Sequence, residues 1–173
     1  MSLFWCIIIY GDRMENKLKR IVNILKDNGK TISTMESCTG GAIVNAITNV
    51  PGASTVLNFS AITYSNDFKV KMGVDKNIID KYTVYSKETA RGMAKAISDF
   101  ALSSYGIGIT GKLGKRDPKN KCGNDNQVFM CIYDKGIDKY IDFDIFVDRD
   151  NRRDDKKEVL EEVVDRLLSY LEK

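Results

Sequence analysis

The spacing of apolar residues along the chain predicts an alternation of helices and strands. Apolar residues that recur every three or four positions, together with capping residues, predict helices over 16–28, 39–49, 65–72, 75–81, 86–103 and 156–171. Runs rich in β-branched and aromatic residues predict strands over 31–35, 56–64, 105–110, 127–133 and 139–147. Helices and strands alternate first, and a hairpin comes late. This order predicts a single α/β domain, a three-layer α/β/α sandwich with a mixed sheet.

Residues 1–13 stand apart from this pattern. Their apolar run over 3–10 is too short to cross a bilayer, and it lacks the basic start and cleavage site of a signal peptide. Met14 offers an alternative start for the domain. We therefore divide the chain into an N-terminal apolar extension, residues 1–13, and a domain over 14–173. We expect the extension to form an edge strand or an interface element.

The composition excludes several classes of function. A net charge of +3 is small, and the cations are not gathered in a tail, so the charge does not favour nucleic-acid binding. The four cysteines form no C-x-x-C pair, which argues against a structural zinc site. Without a secretory signal, we expect reduced thiols in a cytoplasmic protein. The chain contains no histidine, which excludes Ser-His-Asp, Cys-His and histidine-zinc chemistry.

The segment Glu-Ser-Cys-Thr-Gly-Gly at 36–41 carries the candidate chemistry, because it joins a predicted strand to a predicted helix. A hydroxyl at such a turn lies beside unpaired helix N–H groups, and two glycines let a ligand approach the backbone. The turn could bind an anion or stabilise an oxyanion. If Ser37 is a nucleophile, its base must be a lysine, a carboxylate or a tyrosinate. The alternative is a serine that only caps the helix. Glu36 could either orient the base or accept backbone donors.

Two segments of the chain match the motifs of a known family. The segment 36–41 matches the pattern A-E-S-C-T-G-G, with Met35 in place of the alanine. The segment 63–69, Thr-Tyr-Ser-Asn-Asp-Phe-Lys, matches the pattern Y-S-N-x-x-K. Together they resemble the CinA C-terminal domain family, the family of nicotinamide-nucleotide amidases. A weaker similarity links 148–153 to the pattern G-D-R-x-x-x-R. The resemblance extends from about residue 17 to the C-terminus.

The resemblance implies that the chain hydrolyses the carboxamide of nicotinamide mononucleotide to nicotinate mononucleotide and ammonia, with no metal or organic cofactor. Ser37 would be the nucleophile, Lys69 its general base, and Tyr64 a proton relay or hydrogen-bond donor. For Lys69 the alternative is a solvated surface lysine. The family also implies a homodimer, because its members are often dimers. The implied substrate-binding residues are Thr39, Gly40, Gly41, Asn66, Thr110, Gly111, Arg149 and Arg153.

The roles of some of these residues can be stated more closely. The amides at 39–41 could form an oxyanion hole or hold a phosphate. Arg149 and Arg153 are spaced for one helical face and could bind the nucleotide phosphate. The alternative for these arginines is pairing with neighbouring acids in solvent.

One segment departs from the family. After 110–111 the family has a glycine-rich loop, T-G-I-A-G-P-x-G-G, whereas here residues 112–126 are polar and rich in lysine. The substrate therefore stays open among three alternatives. These are nicotinamide mononucleotide, a different amide cleaved by the same pair, and a nucleotide that is bound without catalysis.

Overall fold

The computed structural model describes residues 3–114 and 120–173, with side chains from residue 13 onward. Within these ranges the chain forms five strands: β1 Ile32–Glu36, β2 Ala61–Ile62, β3 Tyr105–Gly111, β4 Gln127–Asp134 and β5 Lys139–Phe146. The same ranges contain six α-helices: α1 Leu3–Asp27, α2 Ala42–Thr48, α3 Asn66–Lys71, α4 Lys76–Tyr82, α5 Lys87–Ala101 and α6 Arg152–Leu171.

The strands form one mixed sheet in the order β2-β1-β3-β4-β5. β1 pairs in parallel with both β2 and β3, whereas β4 pairs antiparallel with β3 and β5. Helices α1, α2 and α6 enclose the larger apolar core on one face, and α4 and α5 pack with the end of α3 on the other. The predicted three-layer α/β/α sandwich with a mixed sheet is confirmed.

Alternating glycines and isoleucines in β3 let one helix approach the sheet closely. Ile107 and Ile109 point into the larger core. On the other face, a Cβ atom at Gly106 would lie 2.0 Å from the Ala94 carbonyl oxygen of α5. At Gly108 it would lie 2.1 Å from the carbonyl oxygen of Ala90. The absence of side chains at these two positions therefore sets the distance between α5 and the sheet.

The carboxyl ends of the three parallel strands meet at one edge of the sheet. Ser37 follows β1, Thr63 follows β2, and Lys112 follows β3. In open α/β sheets this edge is where ligands bind. The topology therefore brings together the two segments that carried the family resemblance, 36–41 and 63–69.

Two predictions about local structure are wrong. Residues 3–10 form no edge strand, because α1 begins at Leu3 and runs across the proposed boundary at residue 13. The strand predicted over 56–64 is reduced to Ala61–Ile62. Its earlier part follows β1 irregularly, since the Thr34 amide donates to the Ser60 hydroxyl at 3.0 Å instead of to a backbone carbonyl. No helix in the described part of the chain combines the length and apolar character needed to cross a bilayer.

We predict that Gly108→Ala destabilises the fold strongly, because the new methyl group would overlap the Ala90 carbonyl oxygen. The expected loss is about 3 kcal/mol or more in the free energy of unfolding, measured by urea denaturation. Gly29→Ala is the matched control, since a Cβ there meets nothing within 4 Å and only its positive φ of 62° is strained. That strain should cost about 1 kcal/mol. Equal losses in the two variants would contradict this packing argument.

Candidate active site

Ser37 and Lys69 form a hydrogen-bonded pair at the carboxyl edge of the sheet. The Nζ atom of Lys69 donates to Ser37 Oγ at 3.1 Å and to the carbonyl oxygen of Thr63 at 2.7 Å. The Ser37 amide donates to the carbonyl oxygen of Ile109 at 3.1 Å, which anchors the serine to β3. Two side chains 32 residues apart in sequence thus lie within the reach that proton transfer requires.

Helix α3 places Lys69 in the interior. Ser65 caps this helix, and its hydroxyl accepts a hydrogen bond from the Phe68 amide at 3.3 Å. One helical turn from this cap, Lys69 points inward and is 1% exposed. Its neighbour Lys71 is exposed. A solvated surface lysine, the alternative considered from sequence, does not describe residue 69.

Burial changes the acid–base properties of Lys69. Loss of hydration lowers the pKa of its ammonium group from 10.5 to about 8. At pH 7 about one such lysine in ten is neutral, against roughly three in ten thousand at the ordinary pKa. Lys69 can therefore act as a base near neutral pH, which an exposed lysine cannot.

The side chain of Glu36 binds the backbone amides at the start of α2, so these amides are not available to another anion. Its carboxylate is fully buried and accepts hydrogen bonds from the amides of Gly41, Ile43 and Val44 at 3.0, 3.2 and 2.9 Å. The N-cap residue Gly41 provides no side-chain cap itself. Of the two roles considered for Glu36, the structure has the carboxylate accepting backbone donors. Ser37 is not the cap of α2.

Two of the three turn amides are already engaged. The Gly40 amide donates to the carbonyl oxygen of Ser37 at 3.1 Å, and the Gly41 amide donates to Glu36. The amide of Thr39 has no acceptor in the described ranges, although its hydroxyl donates to Glu36 at 2.7 Å. Among the turn amides named from sequence, Thr39 is therefore the one that remains available to stabilise an oxyanion.

Ser37 and Lys69 line a cleft of about 210 Å³ that is rich in cations. Lys112 and Arg152 line it as well, and no carboxylate is among its lining residues in the described part of the chain. Lys112 is paired with Asp125, with 2.5 Å between Nζ and Oδ1. The remaining lining residues are Cys38, Tyr64, Asn66, Val84, Tyr85, Gly111, Leu113 and Asn120. The charge of the cleft therefore favours an anionic ligand.

Several residues named from sequence take different places around this cleft. Tyr64 lies at its rim and is 68% exposed. Asn66 lines it, and its Nδ2 donates to Asn120 Oδ1 at 3.0 Å. Gly111 also lines it. Thr110 does not line the cleft. Its buried hydroxyl donates to the Val84 carbonyl oxygen at 2.8 Å, which joins the end of β3 to the residues that precede α5.

Arg152 is the cleft arginine, and sequence reasoning missed it. Helix α6 begins at Arg152, where Asn151 caps it by accepting from the amides of Arg153 and Asp154 at 3.0 and 3.1 Å. Arg149 precedes the helix, so the predicted shared helical face of Arg149 and Arg153 is wrong. The cap residue Asn151 was the signal in the sequence that the helix begins four residues earlier than predicted.

The contacts of these arginines differ. Arg149 pairs with Glu158, with 2.6 Å between Nε and Oε2, and neither it nor the exposed Arg153 lines the cleft. Arg152 donates from Nη1 to the carbonyl oxygen of Leu113, the loop residue that borders the cleft.

Cys38 is a space-filling residue beside the pair. Burial raises the pKa of its thiol to about 12, so the thiolate is scarce at neutral pH. No group of three or more cysteine, aspartate or glutamate side chains in the described ranges is arranged to hold a metal ion. The chemistry that the described residues can carry therefore centres on the Ser37 hydroxyl and the Lys69 amine.

Fold and site together define an α/β protein with a buried serine–lysine pair at the carboxyl edge of a mixed sheet. The family model of the CinA C-terminal domain matches residues 14–173. A competence-damage inducible protein of Clostridium botulinum strain 657 is 37% identical over 165 residues. A CinA-like protein of Kosmotoga olearia is 45% identical over 107 residues. The chain belongs to the CinA C-terminal domain family.

The chain spans less than half the length of these two relatives. The match covers 94% of this chain but 38% of the Clostridium protein, and 61% of this chain but 26% of the Kosmotoga protein. A CinA superfamily protein of Enterobacter cloacae superposes with a TM-score of 0.84 at 21% identity, over 91% of this chain and 92% of that one. A competence/damage inducible protein of Agrobacterium tumefaciens gives 0.81 at 23% identity, over 92% and 96%. The solved structures share the fold.

We predict that Lys69 makes the stability of the protein depend on pH. Between pH 8 and 10.5 an unfolded chain still binds a proton that the folded Lys69 has lost, so stability rises with pH in this window. Compared with Lys69→Met, the wild type should gain about 2 kcal/mol in the free energy of unfolding between pH 6.5 and 9.5. Urea denaturation at the two pH values measures this difference. Lys71→Met, on the same helix but exposed, is the control, and parallel curves for wild type and Lys69→Met would refute the prediction.

Proposed function

We propose that the chain is an amidohydrolase of the nicotinamide-nucleotide amidase type, which converts nicotinamide mononucleotide to nicotinate mononucleotide and ammonia. The observation that carries the proposal is the 3.1 Å contact between Lys69 Nζ and Ser37 Oγ, with Lys69 1% exposed. Of the three bases open to a chain without histidine, a lysine, a carboxylate or a tyrosinate, Lys69 is the one in contact with the Ser37 hydroxyl. Family membership supports the same reaction.

The first half of the reaction forms an ester. Neutral Lys69 accepts the Ser37 proton while Oγ attacks the carboxamide carbon, and the carbonyl oxygen becomes an oxyanion near the Thr39 amide. The carbonyl oxygen of Thr63 keeps its hydrogen bond to Nζ, which directs the lone pair of the amine towards Ser37. Lys69 then gives the proton to the departing nitrogen, the C–N bond breaks, and ammonia leaves.

The second half hydrolyses the ester. Lys69, neutral again, takes a proton from a water molecule, whose oxygen attacks the ester carbon. The proton passes from Lys69 to Ser37 Oγ as the C–O bond breaks, and nicotinate mononucleotide is released. One water is consumed and one ammonia is produced. The same two side chains serve both halves, and no cofactor is required.

The charge of the cleft supports a substrate with a phosphate. Lys112 and Arg152 line it, and the planar guanidinium of Arg152 suits a phosphate group. Lys112 is paired with the carboxylate of Asp125, whereas Arg152 donates to the neutral carbonyl group of Leu113 and has further N–H donors, which makes Arg152 the better candidate. The cleft volume of about 210 Å³ is smaller than the roughly 300–1,000 Å³ of pockets that enclose a drug-sized ligand. A nucleotide would therefore place its reacting end inside and extend beyond the cleft.

Two alternatives follow from the unusual loop at 112–126, of which residues 115–119 lie outside the described part of the chain. The serine–lysine pair could cleave a different amide, or the chain could bind a nucleotide without catalysis. The lowered pKa of the buried Lys69 beside Ser37 favours catalysis over binding alone, because a lysine that only attracts an anion must stay charged, whereas a base must lose its proton. The cytoplasmic location, the homodimer and the relay role of Tyr64 remain part of the proposal.

We predict that Ser37→Ala, which removes the nucleophile, lowers the rate of ammonia release from nicotinamide mononucleotide about 10⁴-fold or more. Lys69→Met, which removes the base, should lower it about 10²-fold or more. In the wild type, kcat/KM should rise with pH to a midpoint near 8 and then level off, because the neutral amine is the active form. An ammonia assay measures both effects. The control variants are Ser54→Ala and Lys71→Met, which change exposed residues of the same two types.

The outcomes separate the alternatives. Full activity in both site variants would refute the serine–lysine mechanism. A wild-type protein whose melting temperature rises with the mononucleotide but that releases no ammonia would be a binding module. Ammonia release from another amide, with the same dependence on Ser37 and Lys69, would change the substrate and keep the mechanism.

We predict that Arg152→Gln raises KM for nicotinamide mononucleotide about 10- to 100-fold, which is the usual effect of losing one hydrogen bond to a charged group. KM for nicotinamide riboside, which lacks the phosphate, should change little. Steady-state kinetics with the two substrates measures the difference, and Arg166→Gln, exposed farther along α6, is the control. If Arg153→Gln has this effect and Arg152→Gln does not, the arginine named from the family resemblance binds the phosphate instead.

A further inference from the structure

Glu36 is a buried carboxylate without a cationic partner in the described ranges. It is fully buried and accepts five hydrogen bonds. Its Oε2 accepts from the Thr39 hydroxyl and from the amides of Gly41 and Ile43, at 2.7, 3.0 and 3.2 Å. Its Oε1 accepts from the Val44 amide at 2.9 Å and from the Thr34 hydroxyl at 3.2 Å. Burying a charge is unfavourable unless hydrogen bonds replace its hydration, and here five donors do so.

A simple helix cap does not need this arrangement. A serine or aspartate at the N-cap would satisfy the first amides of α2 from within the turn. Here the N-cap is Gly41, and the cap comes from the strand residue directly before Ser37. Glu36 therefore joins the end of β1 to the start of α2. Residues 37–40 form a turn whose two ends are held together by the hydrogen bonds of the Glu36 carboxylate.

The same residue also contacts the segment that holds Lys69. The backbone carbonyl oxygen of Glu36 accepts the Thr63 amide at 2.8 Å, and the carbonyl oxygen of Thr63 accepts from Lys69 Nζ at 2.7 Å. Both members of the pair are thus tied to Glu36, Ser37 through the turn and Lys69 through Thr63.

The position of the carboxylate separates it from the lysine. Side chains alternate along a strand, so Glu36 projects towards α2, opposite to Met35 and to Ser37. The structure agrees, since Met35 packs in the core beneath α5, whereas Glu36 contacts the first amides of α2. Lys69 Nζ has its partners in Ser37 and Thr63 instead.

We infer that Glu36 is a positioning residue of the reaction: its carboxylate fixes the turn that carries Ser37 and the Thr39 amide, and it acts through this geometry rather than through its charge on Lys69. The inference rests on the proposed function, because it concerns the reactivity of Ser37. Since a misplacement of about 1 Å at a reacting group can lower a rate about 100-fold, loss of the turn should reduce turnover more than binding.

The test is the rate at which a fluorophosphonate probe labels Ser37, measured by mass spectrometry per folded molecule. In this reaction Ser37 Oγ bonds to phosphorus, fluoride leaves, and Lys69 takes the serine proton, so no amide substrate is needed. Glu36→Leu should label on the order of 100-fold more slowly than wild type. Glu36→Gln should label roughly 10-fold more slowly, between wild type and Glu36→Leu, because its carbonyl oxygen can still accept from two of the donors of Oε2, whereas its NH2 group cannot accept from the Val44 amide.

Two further variants keep the test decisive. Ile47→Ala removes a buried side chain from α2 without touching the turn, so it should lower the melting temperature and label at the wild-type rate. If Glu36→Leu fails to fold, Thr39→Val removes the donor at 2.7 Å alone and should slow labelling roughly 3- to 10-fold, the usual effect of one hydrogen bond.

The opposing outcomes are distinct. Wild-type labelling rates in folded Glu36→Leu, or in Thr39→Val where Glu36→Leu does not fold, would make Glu36 a stabilising residue only and overturn the inference. A shifted pH midpoint of labelling in Glu36→Gln would also overturn it, since the carboxylate would then act on Lys69 through its charge. A wild-type protein that the probe does not label at Ser37 would refute the proposed nucleophile itself, and with it the inference.

Discussion

The burial of the Lys69 ammonium group is the constraint on which the candidate site depends. Removing this group from water lowers its pKa to about 8 and costs about 3 kcal/mol at neutral pH. That is a large part of the 5–15 kcal/mol that stabilises a typical domain. Within the described ranges its ammonium group donates two hydrogen bonds, to Ser37 and to the carbonyl oxygen of Thr63, and the lowered pKa is the balance that remains with both in place. Packing elsewhere in the domain must therefore offset the free-energy cost of burying the ammonium group. Unfavourable local arrangements of this kind are found mainly at functional sites.

The parallel strands of the sheet place the residues of the candidate site next to one another. β1, β2 and β3 end at one edge, so Ser37, Thr63 and Lys112 leave the sheet side by side. The close approach of α5 depends on Gly106 and Gly108, which leave its backbone against β3. α4 and α5 complete the second apolar core, which packs with the end of α3, the helix that carries Lys69.

The sequence predicted the layers and the Ser37–Lys69 pair better than the contacts around them. Apolar periodicity was sufficient for the α/β sandwich, because it depends on local patterns. The pairing of Ser37 with Lys69 was implied by the family resemblance of the motifs at 36–41 and 63–69, and the parallel order of β1 and β2 brings these motifs together. Hydrogen-bond partners were not predictable. Whether the turn amides bind a ligand or the carboxylate of Glu36 depends on the direction of one side chain within the same turn, which no sequence pattern specifies. Whether β1 pairs with a backbone carbonyl or with the Ser60 hydroxyl depends on a residue 26 positions away. Arg152 was missed because the family pattern named Arg149 and Arg153, and because α6, predicted to begin at residue 156, begins at Arg152.

The attachment of the loop at 112–126 limits how far its unusual sequence can alter the site. Its first residues are held by the Lys112–Asp125 ion pair and by the Gly114 amide, which donates to Asn126 Oδ1 at 2.7 Å. Arg152 binds the Leu113 carbonyl oxygen from α6. These contacts hold the two ends of the loop to each other and to α6. A further hydrogen bond, from Asn66 Nδ2 to Asn120 Oδ1, joins the loop to α3. The hydrogen bond between Ser37 and Lys69 lies outside the loop, whereas Lys112, Leu113 and Asn120 of the loop line the cleft, so the unusual sequence bears on which ligand the cleft admits more than on that hydrogen bond.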